Sequence, residues 1–314
     1  MTGLVTVFGG SGFVGRYVVR DLLQAGWRVR VAVRDPRDSL YLKPQGGLGQ
    51  TQFVAADVTR PETVTRAVTG ADAVVNLVGI LKGDYQRIQA DGARTVATAA
   101  ALAGAKALVQ MSAIGADVAS PSHYGRTKGE GEAAVLEAFP HATILRPSII
   151  FGREDGFINR FAQMIASLPV VPIARASVKF QPVFVGDVAA AVTAALGSGA
   201  AQAKVYELGG PDIMTMADVQ HWIARQVGRT PLFIEMPDAL MGAAAKFTGW
   251  LPGAPITWDQ WLMLGHDNVV AAEAHPLAAL GVAATPLDAV APGWLVQYRS
   301  HGRFAAPITS ESHA

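Results

Sequence analysis

The chain has no cysteine in its 314 residues. That removes disulfides, thiolate nucleophiles and cysteine-ligated zinc, and it fits a reducing compartment. Charge is scarce as well: 16% of the residues are charged, and they nearly cancel at a net +1. Such a balance makes neither a nucleic-acid surface nor an acidic tail, so no nucleic-acid partner is expected. No uninterrupted apolar run approaches the roughly 20 residues of a spanning helix. An apolar strand pattern begins at Leu4, which leaves no room for a signal peptide. The seven histidines, His123 among them, show no metal-ligand spacing, and no metal is expected. Together these absences point to a cytoplasmic protein, at most peripheral on the inner face of a membrane.

Half of the residues are hydrophobic, which excludes disorder and supplies a large core. The length suits one large domain with an added lobe. The N-terminal apolar run Leu4, Val5, Val7 and Phe8 leads into Gly9, Gly12 and Gly15, and a helical pattern follows from Phe13 to Ala25. In a strand–turn–helix of this kind one glycine permits the turn. A second lets the backbone approach a pyrophosphate, and a third brings helix and strand together. The first-turn amides and the helix dipole then face the anion. Gly9, Ser11, Gly12, Phe13, Val14 and Gly15 are the expected phosphate-binding residues.

Strand and helix patterns alternate beyond this loop: strands at 28–33, 51–55, 73–77, 107–111 and 142–145, helices at 61–69, 85–103 and 122–139, and a polar, glycine-rich loop over Ser39–Gln50. That rhythm predicts βαβ units and a Rossmann-type, doubly wound parallel sheet in an α/β fold. The expected nucleotide-binding domain is 1–150, with sheet and helix returning at about 185–208. Prolines break the chain after Arg146. Residues 151–184 and 209–314 are expected to form a smaller, mostly helical C-terminal lobe over the carboxyl ends of the strands, where ligands bind in such sheets.

The residue ending the second strand reads the adenosine ribose in dinucleotide folds. Arg34 stands there, and a guanidinium matches a 2′-phosphate. Arg16 offers a second positive charge, whereas Asp35 favours NAD if it turns toward the ribose. The expected cofactor is NADP(H) in preference to NAD(H). Asp57 and Val58, after the third strand, are placed to meet the adenine, or Asp57 is a turn or helix cap. Tyr124 and Lys128 lie four apart on one helical face, where a nearby ammonium is expected to lower the phenol pKa toward working pH.

Gly9, Gly12 and Gly15, Asp57, the run Asn76-Leu77-Val78-Gly79, and Tyr124 with Lys128 resemble the short-chain dehydrogenase/reductase superfamily in its extended or atypical branch. The resemblance implies that Tyr124 is an acid/base, that Lys128 binds the nicotinamide ribose and tunes the tyrosine, and that Leu77, Val78 and Gly79 line the cofactor. A serine usually polarises the substrate carbonyl in that superfamily. Here the strand ends Ser112-Ala113, so alanine takes the usual serine position and only Ser112, Ser120 or Ser122 is left to substitute. After the sixth strand, Pro147, Ser148, Ile149 and Ile150 are expected to wall the reactive end of the cofactor.

Longer runs narrow the likeness. They include Ser112–Asp117, Ser120–Tyr124, Arg146–Asp155 with its Phe-Gly-Arg-Glu-Asp segment, Phe157–Ala162, Gln181–Val185 and Leu280–Pro286. These resemble the 39-kDa nucleotide-binding accessory subunits of respiratory complex I and their bacterial relatives. That likeness implies tightly held NADPH, a structural or redox-linked role and a respiratory-complex or peripheral membrane partner. The alternative is an active NADP-dependent oxidoreductase or sugar-nucleotide epimerase/dehydratase working through Tyr124 and Lys128. Arg153, Glu154 and Asp155 read as a helix start or, alternatively, as a charged cluster on the substrate side. The Met- and Trp-rich stretch from Met236 to Leu264, with Leu240, Met241, Phe247, Trp250, Leu251, Trp258, Trp261 and Met263, reads as mostly lobe core, with part of it free to form a docking surface.

Overall fold

The computed structural model describes residues 3–249, 256–300 and 302. In chain order these form β1 (Leu4–Phe8), α1 (Phe13–Gln24), β2 (Arg28–Val33), β3 (Thr51–Ala55), α2 (Pro61–Val68), β4 (Ala73–Asn76), α3 (Gly92–Leu102), β5 (Ala107–Met111), α4 (His123–Ala138) and β6 (Thr143–Pro147). There follow β7 (Ile150–Phe151), α5 (Ile158–Ser167), β8 (Val170–Ile173), β9 (Lys179–Phe180), β10 (Val183–Phe184), α6 (Val185–Gly197), β11 (Val205–Leu208) and β12 (Met214–Thr215). The last are α7 (Met216–Val227), β13 (Leu232–Glu235), α8 (Asp238–Thr248), α9 (Trp258–Met263), β14 (His275–Pro276), α10 (Leu287–Val290) and α11 (Pro292–Leu295).

The chain divides into two compact units. The first takes residues 1–148, 185–209 and 270–284. It holds an eight-stranded sheet in the order β14-β11-β6-β5-β4-β1-β2-β3, parallel throughout. Order reverses between β1 and β4, which makes a crevice at their carboxyl ends. Both faces of the sheet are covered, as a parallel sheet requires. Helices α1 and α6 pack together, and α2, α3 and α4 pack as a second group. Phe8, Ala32, Val74, Leu108 and Ile144 from the strands join Val64, Val96 and Val135 from the second group in one core. The one polar side chain of β1, Thr6, is fully buried and donates to the Ala67 carbonyl at 2.9 Å.

The second unit takes residues 149–184, 210–269 and 285–314. Its core gathers Phe151, Ile158 and Ile165 with Val219, Trp222, Ile223, Leu287 and Leu295. Two-stranded pairings β7–β10, β8–β13 and β9–β12 tie its loops together. Helix α7 carries a reciprocal Thr215/Asp218 capping box and stops at Gly228, whose φ is +69°. Buried Asp155 accepts from the amides of Phe157, Ile158 and Asn159 at 2.8, 2.6 and 3.3 Å. It therefore opens α5.

Three sequence expectations are corrected here. The loop expected over Ser39–Gln50 is taken up as far as residue 45 by a 3-10 helix, Pro36–Gln45, capped by Asp35. An eighth strand, β14, joins the sheet from a C-terminal stretch without strand patterning. In the Met- and Trp-rich stretch Trp261 is buried, but Leu240, Phe247, Trp258 and Met263 are exposed, so that stretch is less core than its composition suggests. Trp250 and Leu251 lie outside the described residues.

A Cβ on Gly15 would lie 2.3 Å from the Gly9 carbonyl oxygen and 2.6 Å from the Gly10 carbonyl carbon, both backbone atoms. Gly15→Ala is therefore expected to cost about 1–3 kcal/mol, read as a lowered urea midpoint. Gly156→Ala, with no atom within 4 Å of its Cβ, is the matched substitution expected to leave the midpoint in place. Equal midpoints for the two variants would contradict the packing argument.

Candidate functional site

In a parallel sheet the loops after β1, β2, β3, β4 and β5 emerge at one edge, and these loops carry most of the predicted site. Gly9 turns at φ +76°. A Cβ there would meet the Leu77 carbonyl carbon at 3.3 Å and the Val78 nitrogen at 3.4 Å, so the loops after β1 and β4 lie backbone to backbone. The Val78 amide is held by Asn76 Oδ1 at 3.1 Å, and Asn76 Nδ2 donates to buried Gln110 Oε1 at 2.9 Å. Helix α1 starts at Gly12 with no side chain capping it. Its first-turn amides have no partner within the helix. Uncapped amides above a glycine cradle fit a dinucleotide pyrophosphate. Around them, the Ser11 carbonyl accepts from the Tyr41 hydroxyl at 2.7 Å, and Arg16 lies over the Tyr41 ring, 5.2 Å from its centroid. Phe13 makes an edge contact with Tyr17, and Val14 is half-buried in the first turn.

Asp35 does not turn toward the ribose position. Its carboxylate accepts from Arg37 Nε and NH2 at 3.1 and 3.0 Å and from the Arg37 amide at 2.9 Å. Those bonds hold it below the usual carboxylate range. Arg34 and Asp57 line one cavity of about 350 Å³. The Asp57 Oδ1 accepts from the Thr59 amide and hydroxyl at 2.9 and 2.8 Å, which lowers its pKa against the opposing effect of burial. Asp57 thus holds a turn together. Val58 is buried beside Gly92, so its side chain belongs to the core.

Ser112 lies at the end of β5, 4% exposed, with no hydrogen-bond partner for its hydroxyl among the described residues. Ser122 is spent as the N-cap of α4, accepting from the Gly125 amide at 2.9 Å, and the Ser120 hydroxyl accepts from the Ser122 amide at 3.3 Å. Of the three serines, Ser112 is the one left to serve a ligand. Pro147 closes β6 beside Leu208, and the buried Ser148 donates its amide to the Leu208 carbonyl at 2.9 Å. Ile149 and Ile150 belong to the second unit, where Ile149 packs with Ile173, Phe180 and Met216 and Ile150 pairs with Val183.

The Tyr124–Lys128 pair departs from expectation in its electrostatics. Half-buried Tyr124 meets Tyr85 edge-on, with centroids 6.2 Å apart. Loss of solvation, with Tyr85 adding to it, pushes the Tyr124 phenol up to about 12 rather than down. Lys128 sits 5.9 Å from the ring centroid and donates to the Met111 carbonyl at 3.2 Å. Its ammonium therefore faces a carbonyl and the ring, and burial lowers its own pKa to about 8. Glu132, one turn on and gripped by Arg146 at 2.9 and 2.6 Å, opposes that shift without cancelling it.

Gln89 was missed in the sequence. It is buried in a one-turn π-helix over Gln86–Asp91, and its Nε2 donates to Thr127 at 3.2 Å. A Cβ on Gly79 would lie 3.3 Å from Lys128 Nζ and 3.6 Å from Gln89 Oε1, which places all three together. A π-turn often marks a functional site, but it has no signature in one sequence.

Residues 9–155 match a family model described as NAD(P)H-binding. The mitochondrial NADH dehydrogenase (ubiquinone) 1 alpha subcomplex subunit 9 of Arabidopsis thaliana is 34% identical, covering 99% of this chain and 82% of its own. The chain belongs to the subunit 9 family. It is an atypical short-chain dehydrogenase/reductase with an NAD(P)H-binding domain. A ceramide reductase of Caulobacter vibrioides is 32% identical to this chain, over 79% of this chain and 78% of that protein. An NADPH-dependent quinone oxidoreductase of Escherichia coli, solved with NADPH, shares the fold at a TM-score of 0.76 and 23% identity, covering 93% of this chain and 99% of that one. Among the described residues no group of three or more His, Asp or Glu could hold a metal, and no helix is long and apolar enough to cross a membrane.

A lysine whose folded pKa lies below its unfolded value costs stability at neutral pH, and the cost fades as pH rises through the window between the two. Lys128, lowered from 10.5 to about 8, is expected to add about 2 kcal/mol to wild-type unfolding free energy between pH 8 and pH 10. Urea titrations of wild type and Lys128→Met at both pH values isolate this gain, because other groups titrate in both proteins. Parallel pH dependences would show that Lys128 keeps an ordinary pKa.

Proposed function

We propose that the protein holds NADP(H) tightly and acts as a structural or redox-linked component of a respiratory assembly, at the inner face of a membrane. One observation carries the nucleotide assignment: Asp35, the acid that would read a ribose 2′-hydroxyl, is spent on Arg37 and the following helix, while Arg34 lines an open cavity. The cradle Gly9–Gly15, Asp57, the loop Leu77–Gly79, Lys128, Pro147 and Ser148 are the proposed binding residues. Holding is favoured over turnover by Ala113 in the usual serine position and by a tyrosine pKa far above neutrality. The subunit 9 relatives named for NADH dehydrogenase support the respiratory partner.

A second reading is favoured by the reductase at 32% identity and by the unpartnered hydroxyl of Ser112 beside the Tyr124 helix. Nicotinamide, when bound, supplies hydride chemistry. Ser112 then hydrogen-bonds a substrate carbonyl oxygen and Tyr124 delivers its phenolic proton to that oxygen as the alcohol forms. An un-ionised phenol suits proton donation, so this reading runs toward reduction.

Protein purified without added cofactor and then denatured is expected to release close to one equivalent of NADP(H). Absence of any nicotinamide nucleotide, together with no measurable NADPH affinity, would overturn the holding role. Turnover of carbonyl substrates that Tyr124→Phe lowers at least 100-fold would favour the second reading instead, since acid–base groups of this kind contribute about 10²–10⁴-fold.

A further inference from the structure

We propose that Arg60 and Arg66, on the segment that enters α2 and on α2 itself, are specificity-determining residues that hold the 2′-phosphate of NADP(H) together with Arg34. The inference rests on the NADP(H) reading above and extends it to an element that no nucleotide motif marks.

The cavity of about 350 Å³ at the carboxyl ends of β2 and β3 is lined by Arg34, Asp57, Arg60, Thr63 and Arg66, along with Ala55 and Ala56. The lining residues carry three guanidiniums and one carboxylate, a surplus of positive charge. That carboxylate is engaged by Thr59. None of the three arginines forms an ion pair among the described residues. Five other arginines are ion-paired: Arg20 with Asp21, Arg37 with Asp35, Arg94 with Glu137, Arg146 with Glu132, and Arg175 with Asp238. The cavity lining therefore carries positive charge that no ion pair among the described residues offsets. A phosphate monoester carries roughly −1.5 to −2 charges near neutral pH and accepts forked hydrogen bonds from guanidinium.

The segment presenting Arg60 is also fixed before any ligand arrives. The Arg60 amide donates to the Asp57 carbonyl at 2.9 Å, and the Asp57 amide donates to Thr63 Oγ1 at 3.0 Å. Thr63 Oγ1 in turn donates to the Arg60 carbonyl at 2.8 Å. Thr63 and Arg66 are three apart on α2 and share a face. Strand pairing sets the opposite wall, since Val33 stands beside Ala55 and Arg34 follows directly. The volume exceeds what a bare phosphate needs, which suits a phosphate borne on a nucleoside.

The test is calorimetric titration of the full chain, freed of nucleotide, with NADPH and with NADH. The variants are Arg34→Gln, Arg60→Gln, Arg66→Gln and, as control, Arg28→Gln at the amino end of β2. Expected is a tenfold or greater loss of NADPH affinity in Arg60→Gln, a smaller loss in Arg66→Gln, unchanged NADH affinity in both and no change in Arg28→Gln. If wild type prefers NADPH and Arg34→Gln abolishes the preference while Arg60→Gln and Arg66→Gln keep it, this inference fails and the NADP(H) reading stands. If the α2 variants weaken NADPH and NADH equally, the arginines serve the fold and the inference likewise fails. A wild type that binds NADH as well as NADPH, or binds neither, overturns the reading and the inference with it.

Discussion

A side chain does not fit where α1 meets the loop that precedes it, and the first unit is arranged around that backbone contact. Gly15 lies against the Gly9 carbonyl, and Gly9 lies against the backbone of Leu77 and Val78. Helix start, first loop and fourth-strand loop are therefore held at van der Waals distance with nothing between them. That closeness brings uncapped amides to the edge of the sheet where β1 and β4 diverge. It also fixes where the other ends must be: Arg34 and Asp57 on one side, Ser112, Tyr124 and Lys128 on the other. The strand order β5-β4-β1-β2-β3 sets that spread.

Polar groups at this edge are committed unevenly, and the commitment distinguishes binding from chemistry. Asp35, Asp57, Asn76, Gln110 and Ser122 are each engaged by neighbours in ways that shape loops. Lys128 is buried on a carbonyl at the cost of part of its basicity. Tyr124 retains its proton to high pH. These are features of a preorganised cradle, with the Ser112 hydroxyl and Gln89 Oε1 unpartnered among the described residues. The same features leave a proton donor available, which is why reduction is the direction of chemistry the site can support.

Local signals were legible in the sequence, and long-range ones were not. The strands at 28–33, 51–55 and 107–111 lie where their apolar alternation puts them. The glycine cradle, the parallel alternation and Ala113 could all be read directly. Segment 39–45 looked like loop because its polar composition hides the helix that Asp35 caps. β14 is two residues long and owes its existence to pairing with β11. The Tyr124 pKa could not be read from a four-residue spacing, because its sign is set by loss of solvation in the fold, with Tyr85 adding to it. Arg60 and Arg66 read as ordinary charges at a helix start and on a helix surface until β3 folds them toward Arg34.

The central claim is that this edge is built to retain NADP(H). Gel filtration of nucleotide-free protein mixed with equimolar NADPH and NADH, followed by identification of what elutes with the protein, tests it most directly. The account predicts that NADPH travels with the protein and NADH is left behind. Co-elution of NADH, or of neither nucleotide, would contradict it.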